Sequence, residues 1–131
     1  MFGEDLIIGH SEGKMDDKNR IIIPSFTKGV PNDRLILSIY EEKMLVVKSY
    51  LEILKVINNL RKLQSNTPSL SEYQKYEKEI ALICFKLESD LTIDNQKRLL
   101  LPKSTLDKFG WTNKDTLLYD GIGSGLLIRK K

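Results

Sequence analysis

Two runs of three aliphatic residues punctuate the chain: Ile21-Ile22-Ile23, closed by Pro24, and Leu99-Leu100-Leu101, closed by Pro102. Each is bounded by polar turn residues, a pattern that predicts a short buried strand. Pro102 fits the first turn of a helix, where its missing N–H costs nothing, and Gly110 fits that helix's C-terminal stop. The matching stretch Ser25 to Lys28, before Gly29, has room for only about one turn. A hairpin follows each: Leu35 to Tyr40 with Met44 to Lys48, turned by Glu41-Glu42-Lys43, and Thr116 to Tyr119 with Leu126 to Arg129, turned by Gly121 to Gly125. Each unit reads β, turn, β, short helix, β-hairpin.

Between the units the apolar period changes from strand-like to helical. Leu51, Leu54, Ile57 (or Val56), Leu60 and Leu63 recur at helical spacing, and the segment stops near Gln64 to Pro68. A second helix opens at Ser69 or Ser71, since Ser69-x-x-Glu72 and Ser71-x-x-Gln74 both fit a capping box. Its stripe runs Tyr73, Tyr76, Ile80, Ile83, Leu87. Cys84 beside the stripe is expected to be a buried, inert thiol, and the tyrosines to be core or interface residues. The organisation expected is 1–50, a connector over 51–90, and 91–131, together one compact domain.

The two units are copies. Asp16-Asp17-Lys18-Asn19-Arg20-Ile21-Ile22-Ile23-Pro24 returns as Asp94-Asn95-Gln96-Lys97-Arg98-Leu99-Leu100-Leu101-Pro102, at an offset of 78. Three extra residues in the second copy then align Asn32 with Asn113, Leu35-Ile36-Leu37 with Thr116-Leu117-Leu118, and Leu45 to Lys48 with Leu126 to Arg129. One nine-residue match could be chance; the ordered series is a duplication.

Composition narrows the function classes. At 131 residues the chain holds one domain or two very small units. It is 40% hydrophobic and 30% charged, the balance of a globular protein. One Cys and one His leave no intramolecular disulfide and no closed Cys/His zinc site, so no metal and no cofactor are expected. No apolar run approaches the roughly 18 residues of a membrane span. Glu4 and Asp5 stand where a signal peptide carries Lys or Arg, so the expected location is cytoplasmic, without membrane association. The net charge is +3, with −1 in residues 1–50, none in 51–90 and +4 in 91–131. A basic third facing a polyanion is one reading of that asymmetry, a solvated face the other.

Paired D-x-x-x-R units followed by three aliphatic residues and Pro, each leading to a helical turn and a hairpin with a helical pair between, resemble the MraZ family. The resemblance spans roughly residues 1–131, including the opening Met1-Phe2-Gly3-Glu4. It implies an α+β fold: a pseudo-twofold β-barrel from two AbrB/MazE-like swapped-hairpin halves, with two helices inserted. It implies a nucleoid-associated, sequence-specific regulator that binds repeated elements upstream of the division and cell-wall gene cluster as a ring-like homo-oligomer. The family has Gly just before the Arg, where Asn19 and Lys97 stand here. Asn tolerates a left-handed backbone and preserves a tight turn; Lys tolerates it less, so the second turn is expected to differ in shape. The segment Leu6 to Gly13 is longer than the family's opening strand.

The motif's chemistry agrees with double-stranded DNA as partner. Arg grips a phosphate, or the O6/N7 edge of guanine, with two hydrogen bonds. Arg20 and Arg98 are therefore candidate DNA contacts, with Lys14, Lys18 and Lys97 beside them to neutralise phosphates. Asp16 and Asp94 are read as structuring the turn through the Arg four positions on, as is Asn19. Catalysis is not expected. Gly121-x-Gly123-x-Gly125 has phosphate-loop spacing but turns a hairpin near the chain end. Asp16-Asp17 lies in a polar turn, and His10 is read as a surface or strand residue. The alternative function is an antitoxin-like protein-interaction module on the same half-barrel fold. Antitoxins commonly carry a disordered tail that wraps the toxin; two residues follow Arg129 here, so the regulator is the expected reading.

Overall fold

Side-chain alternation along each strand decides what this chain buries. The computed structural model describes residues 7–27 and 34–131. Its elements are β1 (His10–Gly13), β2 (Arg20–Ile22), a 3-10 turn (Ser25–Thr27), β3 (Leu35–Glu41), β4 (Met44–Ser49), α1 (Tyr50–Asn66), α2 (Leu70–Lys86), β5 (Leu87–Leu91), β6 (Arg98–Leu100), α3 (Lys103–Phe109), β7 (Leu117–Gly121) and β8 (Leu126–Lys130). The opening Met1 to Glu4, Leu6, the Lys28-Gly29 stop and Asn32 lie outside the described residues.

Six strands form one antiparallel sheet in the order β1-β7-β8-β4-β3-β5, and β2 and β6 form a separate antiparallel ribbon. The fold is α+β. The expected closed barrel is not formed by strand pairing among the described residues: the sheet order is open, with β1 and β5 at its edges.

The two copies exchange strands. β1, from the first copy, pairs with β7 of the second, while β5, which leads into the second motif, pairs with β3 of the first. The strands β4 and β8 lie side by side at the centre, Leu45 opposite Ile128 and Val47 opposite Leu126. Leu35, Leu37, Leu45, Val47, Leu117, Tyr119, Leu126 and Ile128 point to one sheet face and pack with Ile21, Ile23, Leu99 and Leu101 of the ribbon. Sheet and ribbon are thus two layers around one core, and neither copy completes its own sheet.

The structure corrects the sequence alignment of the hairpins by one residue. Leu91 lies opposite Leu35, and Gly13, its equivalent in the first copy, lies opposite Leu117. Leu35 therefore corresponds to Leu117, not to Thr116. In a strand a one-residue slip exchanges the two faces, and the observed match puts Leu117 and Tyr119 inward. A register shift between Ile39 and Glu41 in β3 absorbs the difference before β4.

The aliphatic triplets are also buried differently from the expectation. Their outer residues are core, with Ile21 and Leu99 fully enclosed, but Ile22 is 69% exposed and Leu100 58%. Period-two geometry requires this in a strand with one covered face.

α1 starts at Tyr50, one residue ahead of the expected connector, and α2 starts at the predicted Ser69 cap. Ser49 caps α1 through its hydroxyl, which accepts the Leu51 N–H, and Ser69 caps α2 by accepting the Glu72 N–H. α1 packs on β4 and α2 on β3. The predicted stripes are only partly covered: Ile80 is buried, but Leu51, Leu63 and Tyr73 are exposed, while Ile53, outside the stripe, is buried. Near their connection the helices are joined by a polar cluster. Gln64, nearly enclosed, donates to the Tyr73 carbonyl and to Glu77, whose carboxylate also takes Arg61 at 2.9 Å. Cys84 is exposed, not buried as expected. The second helix ends at Lys86, so β5 takes residues the sequence reading gave to the connector.

The inward and outward residues of one triplet should behave oppositely. Leu99→Ala is expected to cost about 2–5 kcal/mol in urea unfolding, as for other enclosed leucines. Leu100→Ala is expected to stay within about 0.5 kcal/mol of the parent. Similar losses from both would contradict the assigned faces.

Candidate nucleic-acid interface

Each D-x-x-x-R segment folds as a carboxylate-centred turn. In the first, Asp16 Oδ1 accepts the backbone N–H groups of Lys18 and Arg20, both at 2.9 Å, and Oδ2 accepts Arg20 Nε at 2.7 Å. In the second, Asp94 Oδ1 accepts from Gln96 and Arg98 at 2.9 Å, and Oδ2 accepts Arg98 Nε at 2.7 Å. The backbone closes the loop in both: the Asp16 N–H donates to the Arg20 carbonyl and the Asp94 N–H to the Arg98 carbonyl, each at 3.0 Å. Asp suits the first position because its short side chain reaches backbone donors two and four residues ahead.

The turn needs a left-handed residue just before the arginine. Asn19 has φ +62° and Lys97 φ +57°, so the second turn keeps the shape of the first despite its lysine. That overturns the expected difference in shape. Each left-handed residue is bonded on both sides: its N–H donates to the Asp carbonyl of its own turn (Asn19 to Asp16 at 3.1 Å, Lys97 to Asp94 at 3.0 Å), and its carbonyl accepts from the other copy (Lys97 from Ile23 at 2.9 Å, Asn19 from Leu101 at 3.0 Å).

These bonds also set the electrostatics. At Asp16 the Arg20 N–H is the largest influence; with the Arg20 side chain and the Lys18 N–H it holds the carboxyl below its ordinary value, against burial. At Asp94 burial is the largest single influence and pushes upward. The Arg98 and Gln96 hydrogen bonds together outweigh it and leave that carboxyl low as well. Both acids thus stay ionised beside their arginines. Each guanidinium is held by Nε alone among its described hydrogen bonds, and each side chain is a quarter exposed. The ion pair aims the fork and leaves its terminal nitrogens for an outside acceptor.

The ribbon brings the two arginines together. Arg20 lies opposite Leu100 and Arg98 opposite Ile22, so these four side chains share the outward face opposite Ile21 and Leu99. The arginines occupy one diagonal and the exposed aliphatics the other. Lys14, Lys18 and Lys97 are exposed, Lys18 and Lys97 on the turns and Lys14 between β1 and the first turn. Sequence reasoning missed Ile22 and Leu100 by reading each triplet as wholly buried. The signal was there: an odd run of three in a one-sided strand must turn its middle residue outward.

The glycines of Gly121-x-Gly123-x-Gly125 serve the hairpin, as expected. A Cβ on Gly125 would lie 2.7 Å from the Val47 carbonyl oxygen, so close strand approach accounts for that residue. His10 lies exposed on β1, and its Nδ1 is 2.7 Å from Asp120 Oδ1, which ties the edge strand to β7.

No protein-family model matches the chain, and no curated protein matches it. The functional reading therefore rests on the residues and their geometry.

Two outcomes follow for the turns. A carboxyl lowered in the folded state stabilises above its ordinary value, 3.8, and that contribution is lost as pH falls through the lowered value. The melting-temperature gap between the parent and Asp16→Ala should accordingly be wider at pH 7 than in acid below that value; an equal gap would contradict it. Lys97→Gly should stabilise by about 1 kcal/mol in denaturant unfolding, because Gly adopts positive φ without the Cβ clash. Destabilisation would contradict the strained-turn account.

Proposed function

We propose that this chain is a sequence-specific DNA-binding transcriptional regulator of the MraZ type, acting as a homo-oligomer on repeated promoter elements. The observation that carries the reading is the pair of Asp-held arginines on one exposed ribbon face. A guanidinium oriented by one edge loses little freedom on binding, and its other edge fits the O6/N7 acceptors of guanine bidentately. A two-stranded ribbon also fits the major groove in width. Lys14, Lys18 and Lys97 would neutralise neighbouring phosphates and supply affinity without sequence preference.

The family reading also brings a pseudo-twofold barrel of two swapped-hairpin halves and a ring-like assembly. Strand exchange between copies and the ribbon layered on the sheet support the first. For the second, Leu51, Val56, Leu63, Leu70, Leu82 and Phe85 leave much apolar helix surface exposed. With a handful of cations per chain, tight binding would come from several units engaging several sites. No helix among the described residues is long and apolar enough to cross a membrane.

The test uses duplexes selected from a random pool by the intact protein. Arg20→Ala or Arg98→Ala should cost roughly 1–3 kcal/mol on a selected duplex and much less on random DNA. Lys18→Ala or Lys97→Ala should weaken both similarly and reduce the log–log salt slope by about one. Unchanged binding by a folded Arg20→Ala, Arg98→Ala double variant would reject the reading.

A further inference from the structure

The ribbon's second diagonal has no role in that scheme. Ile22 and Leu100 occupy equivalent positions in the two copies, 69% and 58% exposed, on the face that carries Arg20 and Arg98. Both are large aliphatics where a solvent-facing strand position ordinarily takes a polar residue. Their inward neighbours already fill the core, so folding does not require an aliphatic side chain outside. The arrangement is also built twice, with the same register and the same turns beside it.

The geometry points to a base-reading role for this diagonal: Ile22 and Leu100 contact thymine methyl groups beside the guanines taken by the arginines. The inference rests on the DNA-binding reading and names the sequence feature that reading leaves open. The major-groove edge of thymine carries a C5-methyl, and an aliphatic side chain is the group that discriminates it from cytosine by contact alone. Spacing fits as well. Residues two apart on one strand are about 6.7 Å apart, close to two base steps of about 3.4 Å each. With the ribbon along the groove, each arginine and its same-strand aliphatic reach bases about two steps apart. Twofold pairing then places guanine and thymine in matched positions on the two arms, as pseudo-symmetric proteins match pseudo-symmetric sites.

The experiment uses duplexes selected from a random pool by the intact protein, remade in two altered forms. One carries deoxyuridine for thymidine near the preferred guanines, which removes only the methyl. The other carries 7-deazaguanine, which removes the N7 acceptor the arginines would use. Deoxyuridine should weaken binding by a factor of about four for each methyl lost. An Ile22→Ala, Leu100→Ala double variant, altered only at exposed positions, should bind the thymidine duplex as weakly as the parent binds the deoxyuridine form. It should be indifferent to deoxyuridine yet still sensitive to 7-deazaguanine. Sensitivity to 7-deazaguanine with none to deoxyuridine would overturn the methyl contact and leave the arginine reading intact. A double variant that keeps the parent's methyl response but has a smaller mass in solution would also overturn it, giving this face to a second copy. Failure to select or bind any duplex would overturn both readings.

Discussion

In the ribbon the two copies are interlocked by two backbone hydrogen bonds, Ile23 N–H to the Lys97 carbonyl and Leu101 N–H to the Asn19 carbonyl. Each ties the end of one aliphatic triplet to the left-handed residue of the other copy's turn. The bonds set the ribbon register, which sends Ile21, Ile23, Leu99 and Leu101 inward and leaves Arg20 and Arg98 outside. A unit of about fifty residues cannot enclose much core alone. Exchange of β1 and β5 between copies covers strand edges that each hairpin would otherwise expose.

The local parts of this fold are written in the chain. Pro102 precedes α3 and Gly110, at φ +71°, ends it. Ser69 caps α2 where the Ser-x-x-Glu spacing points, and both hairpins turn where the sequence breaks. Partners are less legible, because pairing joins residues far apart and no local pattern names the strand opposite. The slip of Leu35 onto Leu117 follows from β1 and β5 and from a bulge in β3, which spacing alone does not reveal. Periodicity also overstated the helices' apolar contact. Their junction is clamped by Gln64, Arg61 and Glu77, polar residues that a hydrophobic pattern skips.

The site divides the same way. The spacing of Asp16 from Arg20 and of Asp94 from Arg98 was enough to suggest a pinned turn. The hydrogen bonds add that only Nε is engaged, which makes the acid an orienting group. Lys97 shows tertiary structure overriding preference. Its positive φ is unfavourable alone, yet it matches Asn19 because the Asp94 bonds close the same turn and the other copy's Ile23 bonds to its carbonyl. The outward Ile22 and Leu100 follow from strand alternation because the sheet covers only one ribbon face.

Native-state amide exchange tests the interlocking most directly, because it reads each cross-copy bond separately. The Ile23 and Leu101 amides should show the same opening free energy, equal to that of global unfolding in denaturant. Protection of one amide with much easier opening of the other would mean that a copy unfolds alone, and the account of a single interlocked core would fail.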